Sequence, residues 1–280
     1  MATQVQPTGK TVMANGLKLH YLDWGNEGQP TMVLLHGLRG HAHSWDDVSA
    51  AFCADYHILA LDQRGRGDSD WAPDGDYSTR AYVEDFAAFC DALNLPPFTL
   101  VGHSMGGRNS MAFAARYPEK VEKLIIVDIG PTVDPRGAER IKQEIRHVPE
   151  VFDDLDAVFA YMNQQNRYAS EAVLRRRLQY ATKTLPDGKR GWRYDLAIRE
   201  QSRNGTAAPS EDLWPQLSKI TCPTLIVRGA DTDLLSPDVA QKMIATLPQA
   251  QLAEVPRAAH MVFEENPEGF IAAVRPFLSR

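Results

Sequence analysis

The sequence has few cysteines and lacks the segments that carry a chain through a membrane. It contains three cysteines in 280 residues (Cys53, Cys90 and Cys222). They are too few and too scattered for a disulfide framework or a zinc ribbon, so we expect reduced thiols in a cytoplasmic protein. Residues 1–7 have neither a basic nor an apolar stretch, which argues against a signal peptide. No apolar run approaches the ~18 residues of a spanning helix.

An excess of positive charge is also missing. Lysine and arginine number 30 against 36 acidic residues, and the formal net charge is −6. A chain with this charge balance lacks the excess of basic residues that is typical of nucleic-acid-binding proteins. The 44% of hydrophobic residues exclude a disordered chain, and the length suits a single large α/β domain. We therefore expect a small-molecule substrate, no nucleic-acid or membrane partner, and a monomer or homodimer.

Strand and helix patterns alternate along most of the chain. Alternating segments flank Asn15-Gly16, which predicts an N-terminal antiparallel hairpin. Apolar runs typical of buried parallel strands follow, with helical patterns at 79–93 and 105–117 between them. The runs are 32–35, 57–61, 98–101, 124–127, 225–227 and 251–255. The alternation predicts an α/β fold, a mostly parallel open sheet with helices on both faces.

Between about Pro131 and Asp212 the alternation stops. Helical patterns cover 138–146, 157–165 and 171–180, and a turn-rich hairpin pattern covers 185–194. An insertion this long is not a passive loop. We therefore predict a helical cap at 131–212 over a core domain formed by 1–130 and 213–280. In open α/β sheets ligands bind at the carboxyl ends of the strands, and we expect the cap to cover that edge.

The sequence Gly102-His103-Ser104-Met105-Gly106 joins an apolar strand to an alanine-rich helix. In this context Gly-x-Ser-x-Gly predicts a sharp turn that exposes the serine hydroxyl, with small residues needed two positions away on each side. The Met105 amide at the helix start can then face a developing oxyanion.

Two further segments complete a candidate site. His36-Gly37-Leu38 follows a buried strand, where the Leu38 amide can supply a second oxyanion donor. His260 follows the last strand, after the serine in the chain. This order suits a general base in such a fold.

The chain resembles the α/β-hydrolase superfamily, in particular small cofactor-free esterases. The resemblance is carried, in order, by motifs over nearly the whole chain outside the cap: 36–40, 62–69, 102–107, 127–131, 228–233 and His260. Dehalogenases and epoxide hydrolases of this fold carry aspartate at the position of Ser104. Carbon–carbon bond hydrolases usually carry asparagine where this chain has His103.

The resemblance implies a Ser–His–acid triad without metal or cofactor. It assigns Ser104 as nucleophile, His260 as base and Asp233 as the acid, with Asp231 and Asp128 as alternatives. It also implies that the cap shapes specificity.

Residues for substrate binding follow from position. We expect His36 and Gly37 to contact the substrate. Trp192 either lines an acyl pocket with Tyr194 or packs within the cap. His41 and His43 have no evident third ligand and are interpreted as loop residues rather than a metal site.

These residues predict a carboxylic ester hydrolase acting through an acyl-enzyme. A lactonase or thioesterase would use the same triad. A cofactor-free haloperoxidase or perhydrolase, and a ligand-binding protein that has kept the fold without catalysis, also remain open.

Overall fold

The computed structural model describes residues 5–164 and 166–280. Within these ranges one eight-stranded sheet forms the centre of the molecule, and a separate three-stranded sheet lies in the inserted segment. The strands of the main sheet are β1 (Thr8–Ala14), β2 (Leu17–Asp23), β3 (Thr31–Leu35), β4 (His57–Leu61), β5 (Phe98–His103), β6 (Val121–Val127), β10 (Thr224–Gly229) and β11 (Ala250–Val255). The small sheet contains β7 (Val151–Phe152), β8 (Thr182–Thr184) and β9 (Arg190–Trp192).

The spatial order of the main sheet is β1-β2-β4-β3-β5-β6-β10-β11. The six strands from β4 to β11 in this order pair in parallel, whereas β1 and β2 pair antiparallel at one edge. Asn15 and Gly16 both have positive φ, as a type I′ turn requires. The predicted fold class, parallel strands and N-terminal hairpin are therefore confirmed.

Helices pack on both faces of this sheet, and further helices lie in the inserted segment. Their bounds are α1 (Asp46–Phe52), α2 (Thr79–Ala92), α3 (Met105–Arg116), α4 (Pro135–His147), α5 (Leu155–Asn163), α6 (Glu171–Ala181), α7 (Leu196–Asn204), α8 (Trp214–Leu217), α9 (Pro237–Thr246), α10 (Val262–Glu265) and α11 (Pro267–Leu278). Helices α2, α3 and α9 contribute to one hydrophobic cluster and α1 and α11 to another, which is the arrangement of a doubly wound sheet. No helix in the described ranges is both long and apolar enough to cross a membrane.

The segment 131–212 carries helices α4 to α7 and a hydrophobic cluster of its own, which includes Leu178 and Trp192. The hairpin pattern at 185–194 corresponds to the turn between β8 and β9 and to β9 itself. Helix α7 was not among the predicted helices, although Asp195 caps it by accepting the Ala197 amide. The helix predicted at 157–165 is found at Leu155–Asn163, and its last expected residue, Gln165, lies outside the described residues.

Candidate active site

Ser104 sits at the turn between β5 and α3 with φ 53° and ψ −117°, a backbone conformation that side chains rarely adopt. Close approach of the surrounding backbone explains the flanking glycines. A Cβ on Gly102 would lie 2.4 Å from the Gly106 carbonyl oxygen, and one on Gly106 would lie 2.3 Å from that of Leu35. The packing of α3 against the sheet thus requires both glycines.

His260 reaches Ser104 from the loop after β11. Its Nε2 lies 2.9 Å from Ser104 Oγ, and its Nδ1 lies 2.9 Å from Asp128 Oδ2. His103 Nε2 donates to the His260 carbonyl over 2.9 Å, which fixes the backbone of the loop. The structure therefore brings together the serine and histidine that the sequence singled out, and places Asp128, one of the two alternative acids, on the other ring nitrogen.

Asp128 follows β6 in a left-handed conformation, with φ 51°, and its side chain is fully buried. Besides His260, it accepts the Gly229 amide at Oδ1 over 3.0 Å and the Thr232 hydroxyl at Oδ2 over 2.6 Å. Burial raises the pKa of this carboxyl, while the hydrogen bonds from Thr232 and Gly229 act against that rise. Burial lowers the pKa of His260, which favours the neutral imidazole.

The expectation that Asp233 contacts His260 is wrong in this structure. Asp233 accepts two hydrogen bonds from the Arg140 guanidinium of α4, at 2.6 and 2.7 Å. That guanidinium lowers the pKa of Asp233. Asp231, the first alternative, accepts the Tyr168 hydroxyl over 2.8 Å. The second alternative, Asp128 at the end of β6, occupies the position against the imidazole.

The residues expected to supply the oxyanion donors lie next to the serine in the chain or in the wall of its cavity. Met105 is the first residue of α3, where the backbone amide has no partner within the helix. Gly37 and Leu38 lie in the wall of the cavity that contains Ser104. Gly37 is also tightly packed, since a Cβ there would lie 2.8 Å from His103 Nδ1.

The predicted substrate contact of His36 is wrong, and so is the acyl-pocket alternative for Trp192. His36 is fully buried and does not line the cavity. Its Nδ1 donates to the Gly37 carbonyl over 2.8 Å and its Nε2 accepts the Gln63 amide over 3.0 Å, so it orders the loop rather than a ligand. Trp192 is also absent from the cavity wall. It donates to the Pro149 carbonyl and packs on Phe152 and Tyr194, which is the packing alternative for this residue.

The histidines of the loop after β3 point to different partners. His41 Nε2 donates to the Arg177 carbonyl over 3.1 Å, whereas His43 stacks on Tyr180 with ring centroids 3.6 Å apart. Both contacts tie the loop to α6 of the inserted segment.

A cavity with a volume of about 630 Å³ opens above Ser104. Core loops form one wall, and α4, α5 and α6 form the other. Sequence reasoning missed these wall residues from the inserted segment because helical periodicity does not show which face meets the core. They include Arg140, Glu144, Tyr161, Met162, Leu174 and Arg177.

Comparison with known proteins agrees with this architecture. The sequence profile of the alpha/beta hydrolase fold family matches residues 30–267, and the chain belongs to this family. It is 30% identical over 260 residues to a 3-hydroxybutyrate-oligomer hydrolase of Cupriavidus necator, covering 87% of each chain. It is 26% identical to the esterase YbfF of Escherichia coli, covering 89% of this chain and 92% of the relative. The crystal structure of E-2-(acetamidomethylene)succinate hydrolase superposes with a TM-score of 0.89 at 27% identity, covering 98% of this chain and all (100%) of the other.

Proposed function

We propose that the protein is a serine hydrolase that cleaves small to medium carboxylic esters through an acyl-enzyme intermediate. The observation that carries the proposal is the line of hydrogen bonds from Ser104 Oγ through His260 to Asp128, at the base of a cavity. This arrangement suits nucleophilic catalysis, in which a base activates the hydroxyl and a carboxylate orients the base. The similarity to an oligomer hydrolase and to an esterase supports the same class of reaction.

In the first half-reaction, His260 Nε2 takes the Ser104 proton while Oγ attacks the acyl carbon. The amides of Leu38 and Met105 hold the oxyanion that forms. The bond to the alcohol oxygen then breaks, and His260 gives its proton to that oxygen. In the second half-reaction, His260 takes a proton from water, the resulting hydroxide attacks the acyl carbon, and the acid leaves as Ser104 regains its proton.

Asp128 holds the Nδ1–H tautomer of His260, which leaves Nε2 free to accept the serine proton. It also stabilises the imidazolium that forms transiently. The segment 131–212 acts in this proposal as a cap that sets which acyl groups fit, because its helices form one wall of the cavity.

The test is a panel of p-nitrophenyl esters of graded acyl length, together with lactones and thioesters. Ser104→Ala should lose turnover down to the ~10³–10⁴-fold acceleration over water that binding and the oxyanion hole supply. A fluorophosphonate should label Ser104 in the wild type. The matched control is Ser49→Ala, which removes a buried hydroxyl in α1 and should keep both turnover and labelling.

Wild-type turnover by the Ser104→Ala variant would refute the proposal. Absence of turnover on every substrate would point to a ligand-binding protein. Faster transfer of the acyl group to hydrogen peroxide than to water would point to a perhydrolase.

A further inference from the structure

Three consecutive residues after β10, Asp231 to Asp233, contact both the inserted segment and the acid beside His260. Asp231 and Asp233 accept hydrogen bonds from Tyr168 and Arg140 of the inserted segment. Between them, the Thr232 hydroxyl donates to Asp128 Oδ2 over 2.6 Å. We name these three residues the linking segment. Asp231 and Asp233 contact the cap, and Thr232 contacts Asp128.

The backbone around the linking segment leaves little room for independent movement. The Asp134 amide, just before α4, donates to the Leu234 carbonyl over 3.0 Å. A Cβ on Gly137 in α4 would lie 2.3 Å from the Asp233 carbonyl oxygen, so α4 packs directly on this backbone. On the core side, the Asp231 amide donates to the Ala258 carbonyl over 2.9 Å. A displacement of α4 must therefore move the linking segment.

The hydroxyl of Thr232 matters because Asp128 is fully buried. A buried carboxylate stays charged only where hydrogen-bond donors replace water, and Thr232 supplies one of the three donors on this side chain. The Leu234 amide donates to the same hydroxyl oxygen over 3.1 Å, which leaves the hydroxyl proton to point at Asp128. The other ionisable groups with an electrostatic influence on this pair include His103 on β5, whose ring centroid lies 4.6 Å from that of His260. The remaining ones are Arg228 on β10, Arg140 and Glu144 on α4, Arg177 on α6, Asp233, and Glu265 on α10.

We propose that Thr232 is a positioning residue for the triad acid and that the linking segment couples the cap to it. With Arg140 and Tyr168 in place, the Thr232 hydroxyl is held against Asp128 and the triad is assembled. When the cap moves away, the hydroxyl loses its fixed position and Asp128 loses a donor. This proposal rests on the function proposed above, and it makes cap closure part of the assembly of the catalytic groups rather than of substrate fit alone.

The test uses p-nitrophenyl acetate, whose acyl group is too small to report on acyl fit. Thr232→Val removes the hydroxyl at nearly constant shape. It should lower kcat about 10- to 100-fold, as expected for a hydrogen bond to a charged group, with little change in KM. It should also move the acid limb of the kcat/KM profile to higher pH, because a carboxylate with fewer donors takes up its proton more readily. Thr232→Ser should restore both.

Coupling to the cap is tested by Arg140→Gln against Arg176→Gln. Both arginines tie a cap helix to the core, but Arg176 pairs with Asp47 in α1, away from the linking segment. Arg140→Gln should lower kcat as Thr232→Val does, whereas Arg176→Gln should leave kcat unchanged. The acid limb does not test the coupling, because the Arg140 charge acts directly on the pKa of His260. In the double variant, Arg140→Gln should add little to the loss from Thr232→Val.

Equal effects of the two arginine variants, or additive losses in the double variant, would overturn the coupling. An unmoved acid limb in Thr232→Val would overturn the positioning role. Thermal unfolding of each variant separates these outcomes from loss of the fold. None of these results bears on the nucleophile, which the Ser104→Ala experiment tests separately.

Discussion

His260 Nδ1 lies 2.9 Å from Oδ2 of Asp128, a residue that follows β6 rather than β10. The acid that the resemblance to α/β hydrolases implied is Asp233, which follows β10. Here that carboxylate accepts two hydrogen bonds from Arg140. One aspartate thus contacts the imidazole, and the other contacts the inserted segment. Thr232, next to Asp233, contributes a hydroxyl to Asp128.

The first prediction separates these aspartates. Asp128→Asn should lower kcat by about 10⁴, because an amide no longer selects the Nδ1–H tautomer of His260 or stabilises its charged form. Asp233→Asn and Asp231→Asn should lose far less. Ester hydrolysis by the three single variants measures this. If Asp233→Asn were the most impaired variant, the assignment of Asp128 would fail.

The second prediction concerns the loop that carries the Leu38 amide. Gly37→Ala would place a Cβ 2.8 Å from Nδ1 and 3.1 Å from Cε1 of His103, a buried ring held by the His260 carbonyl. Because the ring cannot yield, the loop must shift, and one oxyanion donor is lost. We expect a ~10²- to 10³-fold decrease in kcat. Gly28→Ala is the control, since nothing lies within 4 Å of its added Cβ. An unchanged kcat in Gly37→Ala would show that this loop does not supply an oxyanion donor.

The third prediction distinguishes packing from substrate contact in the inserted segment. Trp192 is buried in the cluster of the inserted segment, so Trp192→Ala should cost about 3–5 kcal/mol of stability. Tyr161 lines the cavity, and Tyr161→Ala should instead change the preference between acyl lengths, by roughly tenfold or more. Melting curves and acyl profiles of both variants test this assignment. A changed acyl-length preference with an unchanged melting temperature in Trp192→Ala would show that Trp192 contacts the substrate instead.

The fourth prediction concerns stability at mildly acidic pH. Burial lowers the pKa of His36 from 6.5 to about 4. Between these values the unfolded chain takes up a proton that the folded protein excludes. The contribution of His36 to the free energy of unfolding is therefore complete above pH 6.5. It decreases as the pH falls toward 4, by about 1.4 kcal/mol per pH unit. His36→Gln should reduce the slope of the unfolding free energy over this range, with His147→Gln on α4 as the control. An identical slope in His36→Gln would show that His36 does not contribute.

The alternation of apolar strands and helices determined the fold class, because burial on both faces of a parallel sheet leaves a continuous apolar run in each strand. The glycines around Ser104 were likewise recognised from the Gly-x-Ser-x-Gly pattern, although at Gly106 the close contact is with the Leu35 carbonyl of β3, distant in sequence. His260 was placed by chain order alone. These features were predicted from short motifs and their order along the chain, which the sequence contains directly.

Which aspartate meets His260 was decided only by tertiary structure. Asp128, Asp231 and Asp233 all follow parallel strands at the same edge of the sheet, so motif position could not separate them. Asp233 instead contacts Arg140 of α4, which is 93 positions away in sequence, and no local motif predicts a contact over that distance. Trp192 was undecided for the same reason, because packing between distant segments, rather than local periodicity, determines whether an aromatic ring faces a cavity or a core.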